Sequence, residues 1–316
     1  MWENIQFSAR IVLPSFVMIF LGRLITLKGL ASPAQMDRVG KLTFTYLLST
    51  KIFLDIVDSD LSGLSGGGLV SFCMLASTAT FALAWALAGK LLRRKESVGS
   101  FTQSCFRCSF TVLGLSMVET FAGSEGVAKA APLLAGAVIL FNVLASIVLA
   151  SPEASPSPGA ALKKTARSIA ANPLIVAVVL GLAVALSGVE LPYLVRNPAQ
   201  QLGGMAAPLS LLCIGSSLDM QKVRRSFRYA LAASCVKAWG QALVFLPIAA
   251  LCGFRDYELT VIAIYLTAAN PSANYVMTLA TGHDSDLAAS AIVLSTLMSV
   301  FSSMAAITVL RALGLI

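Results

Sequence analysis

LTVIAIYLTAANPSANYVMTLAT, residues 259–281, carries no charged side chain over a length that suffices to cross a bilayer. Its middle is nevertheless polar: Asn270-Pro271-Ser272-Ala-Asn274 interrupts the apolar run. Pro271 has no amide donor and its ring clashes with the preceding turn, so a helix entering this segment is expected to break there. Asn270 and Asn274 can then satisfy the freed backbone groups or hold a ligand. Irregular backbone at membrane depth is tolerated only where protein or a water-filled cavity surrounds it. A plain alternative is a proline kink in a packed helix whose asparagines bond to neighbours.

The chain around this stretch is equally apolar. Of its 316 residues 57% are hydrophobic and 12% charged, with a mean hydropathy of +0.82. A soluble domain is roughly 25% charged. Apolar windows fall at 9–27, 40–57, 67–91, 104–122, 129–150, 169–188, 201–219, 229–252, 259–281 and 287–310. Ten spans are therefore expected, an all-α polytopic membrane protein with almost no chain left for a soluble catalytic domain. Met1–Arg10 lacks a basic leader and no cleavage site follows, so the first window reads as a retained span. Counted on alternate sides, one set of loops holds Lys28, Arg38, Lys41, Arg93, Arg94, Lys95, Arg107, Lys163, Lys164, Arg167, Lys222, Arg224, Arg225 and Arg228. The other holds Arg10, Lys129, Arg196, Arg255 and Arg311. This asymmetry places the basic side in the cytoplasm of an inner membrane and both termini outside. The net charge of +8 thus reports orientation and not nucleic-acid binding. The six cysteines lie within or beside apolar stretches and imply no disulfide framework.

Positions recur at a constant offset of 159: Pro14 with Pro173, Gly22 with Gly181, Asp60 with Asp219 and Gly123 with Gly282. Two five-span halves, 1–150 and 169–316, would be joined by a cytoplasmic linker, 151–168, rich in Ser, Pro and Lys. An odd number of spans per half would invert the second copy. At the same offset from Asn270-Pro271, the fourth window offers Ser109, Thr111 and Gly114, polar and flexible but without proline.

Charges inside spans need a partner or water. Lys51 has Asp55 four residues on, so it either forms a local ion pair or attracts an anion. Lys237 has Gln241 in range and is free to bind a carboxylate, to replace a coupling cation or to brace another helix. Glu119 and Asn142 are candidates for a proton relay or for bridging helices. Cys105-Phe-Arg-Cys108 opens an apolar window and does not follow a strand, so its redox spacing is fortuitous. His283, the only histidine, sits beside Asp284 and Asp286 in a loop. No phosphate loop or HExxH occurs, and no serine nucleophile elbow with a second histidine to serve it, so neither an enzyme nor an ATP-driven pump is expected, and no cofactor.

Several segments together resemble the auxin efflux carrier family, which includes the plant PIN-FORMED carriers and bacterial carriers of malonate. They are Leu13-Pro14 to Gly22, Asn172-Pro173 to Gly181, and Ala207-Pro208-Leu-Ser-Leu-Leu-Cys-Ile-Gly215-Ser-Ser-Leu218. Lys237, Asn270-Pro271-Ser-Ala and Ser295-Thr296-Leu continue the likeness over essentially the whole chain. The family usually has proline where Ser49 stands, and often asparagine where Ser109 stands. The resemblance implies ten helices in two inverted repeats, with the fourth and ninth broken and crossed. It also implies a scaffold from helices one, two, six and seven, a mobile remainder moving elevator-fashion, and a homodimer. A secondary transporter of a small organic anion follows, with Asn270, Pro271, Asn274, Ser109, Thr111, Gly114, Lys237 and Lys51 at the site and a proton or sodium as the coupling ion. A sodium-coupled symporter of the bile-acid type is similar in fold, and a transporter-fold sensor is the alternative outside transport.

Overall fold

The computed structural model describes residues 2–59, 67–92, 94–110, 114–150, 170–217 and 220–316. The expected linker, Asp60, Asp219 and Thr111 lie outside them. All regular secondary structure among the described residues is helical. The chain runs through α1 (Trp2–Leu27), α2 (Pro33–Leu42), a π-helical turn (Thr43–Leu48), α3 (Ser49–Val57), α4 (Gly68–Leu91), α5 (Lys95–Phe106) and α6 (Leu115–Leu149). It continues through α7 (Pro173–Ser187), α8 (Tyr193–Gly204), α9 (Ala206–Ser217), α10 (Met220–Cys235), a second π-helical turn (Val236–Gly240) and α11 (Gln241–Leu251). Helices α12 (Asp256–Thr267), α13 (Ala273–Ala280) and α14 (Ser285–Ala312) complete it.

Local chemistry sets the helix starts. Ser32 and Gln35 form a capping box before α2, with Pro33 at the first helical position, where its missing amide is not needed. Asn172 accepts from the Leu174 amide ahead of Pro173, and Asp284 caps α14 through the Leu287 amide. Gly123, at φ 61°, breaks the regular backbone inside α6.

Packing divides the helices into two groups. In one, α1 lies on α9, α3 on α7 and α8, and α2 on α9. In the other, α4 packs on α5, α6 on α12, α10 on α14, α11 on α12 and α13 on α14. The groups meet where α6 touches α3 and α7 and where α13 touches α2 and α9. Within the first group backbones nearly touch: a Cβ at Gly22 would lie 2.1 Å from the Leu212 carbonyl, and one at Gly215 would lie 1.8 Å from that of Ile19. Gly181 faces the Phe53 carbonyl at 3.1 Å, so the paired glycines 22 and 181 meet residues that are themselves 159 apart. Gly123 and Gly282, another pair, both take positive φ.

Such likenesses of position do not amount to ten spans. Among the described residues four helical stretches are long and apolar enough to cross a membrane: Gly68–Leu91, Pro132–Leu149, Ser226–Leu251 and Ser285–Ala312. This overturns the expected architecture of ten transmembrane helices in two inverted five-helix repeats with crossed helices 4 and 9. The windows were read by hydropathy, which does not register breaks. Window 104–122 leaves the helix at 107–109, window 259–281 at 268–272, and window 201–219 divides at Met205 between α8 and α9. Window 40–57 begins in the polar α2 and passes through a π-helical turn. The apolar stretches Leu13–Leu27 and Pro173–Ser187 are shorter. Large apolar side chains on the outer faces, among them Leu83, Leu243 and Phe301, are more than 60% exposed, as lipid-facing residues are in a protein without its bilayer.

Candidate functional site

Two interrupted helices meet at the centre. After α5 the chain extends through Arg107 (φ −74°, ψ 147°), and after α12 it extends through Ala268 (φ −60°, ψ 145°). The breaks are joined directly: the Ser109 amide donates to the Ala269 carbonyl at 2.7 Å. Helical bonding resumes from Ser109, whose carbonyl accepts from the Gly114 amide at 3.2 Å, and from Ser272 at the head of α13. Both new helix starts border a cavity of about 130 Å³ lying between the two packing groups. A cavity of about 150 Å³ holds a benzene ring, so the space suits a small solute.

Lys51, Asp55, Arg107, Ser109, Phe110, Asn142, Ser210, Pro271 and Ser272 line it, with apolar walls from α3, α6 and α9. Lys51 Nζ pairs with Asp55 Oδ1 at 3.0 Å. Arg107 is 4% exposed. Its Nη2 donates to Asn142 Oδ1 at 3.4 Å and its Nη1 to Gln103 Oε1 at 3.5 Å, while Nε has no partner among the described residues. No described carboxylate pairs with it. The lining therefore sets two cations against one carboxylate. Two helix N-termini, each equivalent to roughly half a positive charge, add to the excess.

The expected site residues are only partly brought together. Ser109, Lys51, Asn142 and Pro271 border the cavity. Asn270 and Asn274 are buried beside it and bond inward: the Asn270 amide donates to Ser295 Oγ at 3.1 Å, and Asn274 Nδ2 to Asn270 Oδ1 at 3.4 Å. Asn270 Nδ2 and Asn274 Oδ1 keep unused capacity. Gly114 packs under the Phe110 ring and does not line the cavity. Lys237 and Gln241 bond to each other behind the breaks at 2.7 Å, away from the cavity. Glu119 is exposed. Arg107, counted in the sequence as a loop charge, is the cavity's buried cation. The signal that could have found it is its place three residues inside an apolar window, two before Ser109.

A multi-helix membrane protein with a small cationic cavity between broken helices falls in the class of membrane carriers. Residues 8–307 match the membrane transport protein family, and the chain belongs to that family, the one that includes the auxin efflux carriers. It is also similar to an uncharacterized transporter of Methanothermobacter thermautotrophicus, 25% identical over 304 residues that cover 93% of this chain and 96% of that one. The chain is accordingly a membrane transport protein and not an enzyme.

Proposed function

We propose that this carrier is a secondary transporter of a small organic anion, a mono- or dicarboxylate, bound in the cavity between the two helix breaks. The observation that carries the reading is Arg107: a buried guanidinium beside two helix N-termini, with neither a partner for its Nε nor a neutralising carboxylate among the described residues. A fixed cation in a low-dielectric site needs an anion, and a guanidinium matches a carboxylate geometrically. Ser109 and Ser272 supply hydrogen-bonding groups at the helix starts, and Phe110 with the apolar walls would hold the organic part. Lys51 is paired with Asp55 and would turn to a second carboxylate of the solute.

The division into two packing groups with the cavity between them supports elevator-type alternating access, the α1–α3 and α7–α9 group standing still. The reading places the carrier in an inner membrane with its basic loops in the cytoplasm and with a second copy against the still group.

The test is ligand-induced thermal stabilisation of the purified protein across small carboxylates, followed by flux in proteoliposomes. A hit should weaken about 10- to 100-fold in Arg107→Gln, the loss of one hydrogen bond to a charged group. Unchanged affinity in a folded Arg107→Gln protein would remove the anion site from this cavity, and binding without flux would make the chain a sensor.

A further inference from the structure

Two basic runs far apart in the chain stand at the ends of membrane spans. Arg93-Arg94-Lys95 follows the span that closes at Leu91, and Lys222-Val-Arg224-Arg225-Ser-Phe-Arg228 straddles the start of the span that opens at Ser226. Packing brings the two ends to one place. Ala84 of α4, Cys105 of α5 and Ala233 of α10 share a buried cluster, and Arg94 and Ser226 border one cavity of about 320 Å³. Ser226 and Ala230 turn into the protein, whereas Arg94, Lys95, Arg224 and Arg228 are exposed. The carboxylates nearby, Glu96, Asp284 and Asp286, border the cavity between the runs. Glu96 pairs with Arg94 only at 3.8 Å, Asp284 accepts from the Ser97 hydroxyl and the Leu287 amide, and no described carboxylate pairs with Lys95, Arg224 or Arg228. Large apolar side chains adjoin these cations on the same helices: Leu87 and Leu91 in the last turns of α4, and Phe227 and Tyr229 on α10, are exposed. A face that passes from apolar to basic at the end of a span matches a phospholipid, whose chains need the one and whose phosphate needs the other.

We infer that the two runs together form a headgroup site for an anionic phospholipid of the leaflet on their side of the membrane. The inference rests on the placement of the two spans in the bilayer and not on the anion cavity, so either can fail without the other. Phosphate oxygens would lie among Arg94, Lys95, Arg224 and Arg228, and each such cation near the surface contributes about fivefold in affinity. The test reads the unfolding midpoint of the full-length protein in neutral detergent as phosphatidylglycerol, phosphatidylcholine or inorganic phosphate is added. Phosphatidylglycerol should raise the wild-type midpoint saturably, by at least about 2 °C, and the other two should not. The triple variant Arg94→Gln, Arg224→Gln, Arg228→Gln should lose that rise. A charge-matched control, Lys28→Gln, Arg38→Gln, Lys41→Gln, removes exposed cations from the other packing group and should keep it. Arg224→Gln alone should raise the half-saturating concentration about fivefold, and it decides the matter if the triple variant does not fold. An unshifted Arg224→Gln, or equal loss in both triple variants, overturns the site, the latter by reducing the effect to overall charge. A wild type that answers phosphatidylcholine equally, or phosphatidylglycerol not at all, overturns it too, and an equal rise with inorganic phosphate makes it an ion site and not a lipid surface.

Discussion

Gly22 and Gly215 show how far single residues decide the packing of α1 on α9. Each sits under a facing carbonyl closer than any Cβ tolerates, and the obstacle is backbone, which cannot swing aside. Gly22→Ala should lower stability by about 1–3 kcal/mol, the usual range for overpacking, as measured by the thermal midpoint. Gly89→Ala is the control, since nothing lies within 4 Å of its Cβ position in α4, and it should be neutral or stabilise by up to about 1 kcal/mol. The two glycines look alike in the sequence, and only the facing helix separates them. Lys51 with Asp55 was readable because a four-residue spacing on one helix brings the pair together whatever the rest does. Arg107 was not, since a cation near a window edge reads as a loop charge until the chain is seen to turn inward there.

At the scale of elements, the two breaks and the α13–α14 turn carry the testable features. Asn270 bonds to Ser295 through its amide and to Asn274 through its side chain, so Asn270→Ala removes one side-chain acceptor while sparing the backbone bond. The Asn274 amide is then left unpaired in a buried place, and a loss of about 1–3 kcal/mol is expected in the thermal midpoint. His283, half-buried between α13 and α14, packs close to Gly99 at the start of α5 and has Thr281 Oγ1 3.1 Å from Nδ1. Burial holds its pKa below the usual 6.5, against smaller opposing effects of a hydrogen bond at Thr281 and the charge of Glu96. As pH falls through 6.5 the unfolded chain takes up this proton before the folded one does, so stability declines until the folded imidazole also titrates. His283→Asn should flatten that part of the stability-against-pH curve, which a denaturation series between pH 7.5 and pH 5 would measure. The proline break was legible because Pro271 obstructs a helix by its covalent structure. The matching break at 107–109 has no proline, and the amide-to-carbonyl bond between Ser109 and Ala269 exists only once the two segments are side by side.

For the whole molecule the question is whether the two packing groups move against each other. Gly40 of α2 and Leu279 of α13 touch across their boundary, with Leu279 Cδ2 2.5 Å from the Gly40 Cβ position. Cysteines at both positions, in a Cys213→Ser background because Cys213 Sγ lies 3.9 Å from that same point, should form a disulfide. On the elevator reading oxidation abolishes flux and reduction restores it; flux that survives complete cross-linking excludes relative motion at this boundary.

The sequence by itself determined that the protein is helical, membrane-embedded and without the motifs of an enzyme, and its segments led to the family to which it belongs. Those properties follow from composition, periodicity and a few residues whose covalent nature fixes local backbone. How the apolar windows are cut was decided by tertiary structure: four long apolar helices among the described residues and several interrupted ones, where hydropathy gave ten spans. Hydropathy sums side-chain transfer free energies along the chain and is blind to where the backbone leaves the helix. Tertiary structure likewise sent Arg107 to the cavity and Lys237 behind it, because which polar groups surround a buried charge depends on helices far apart in the chain.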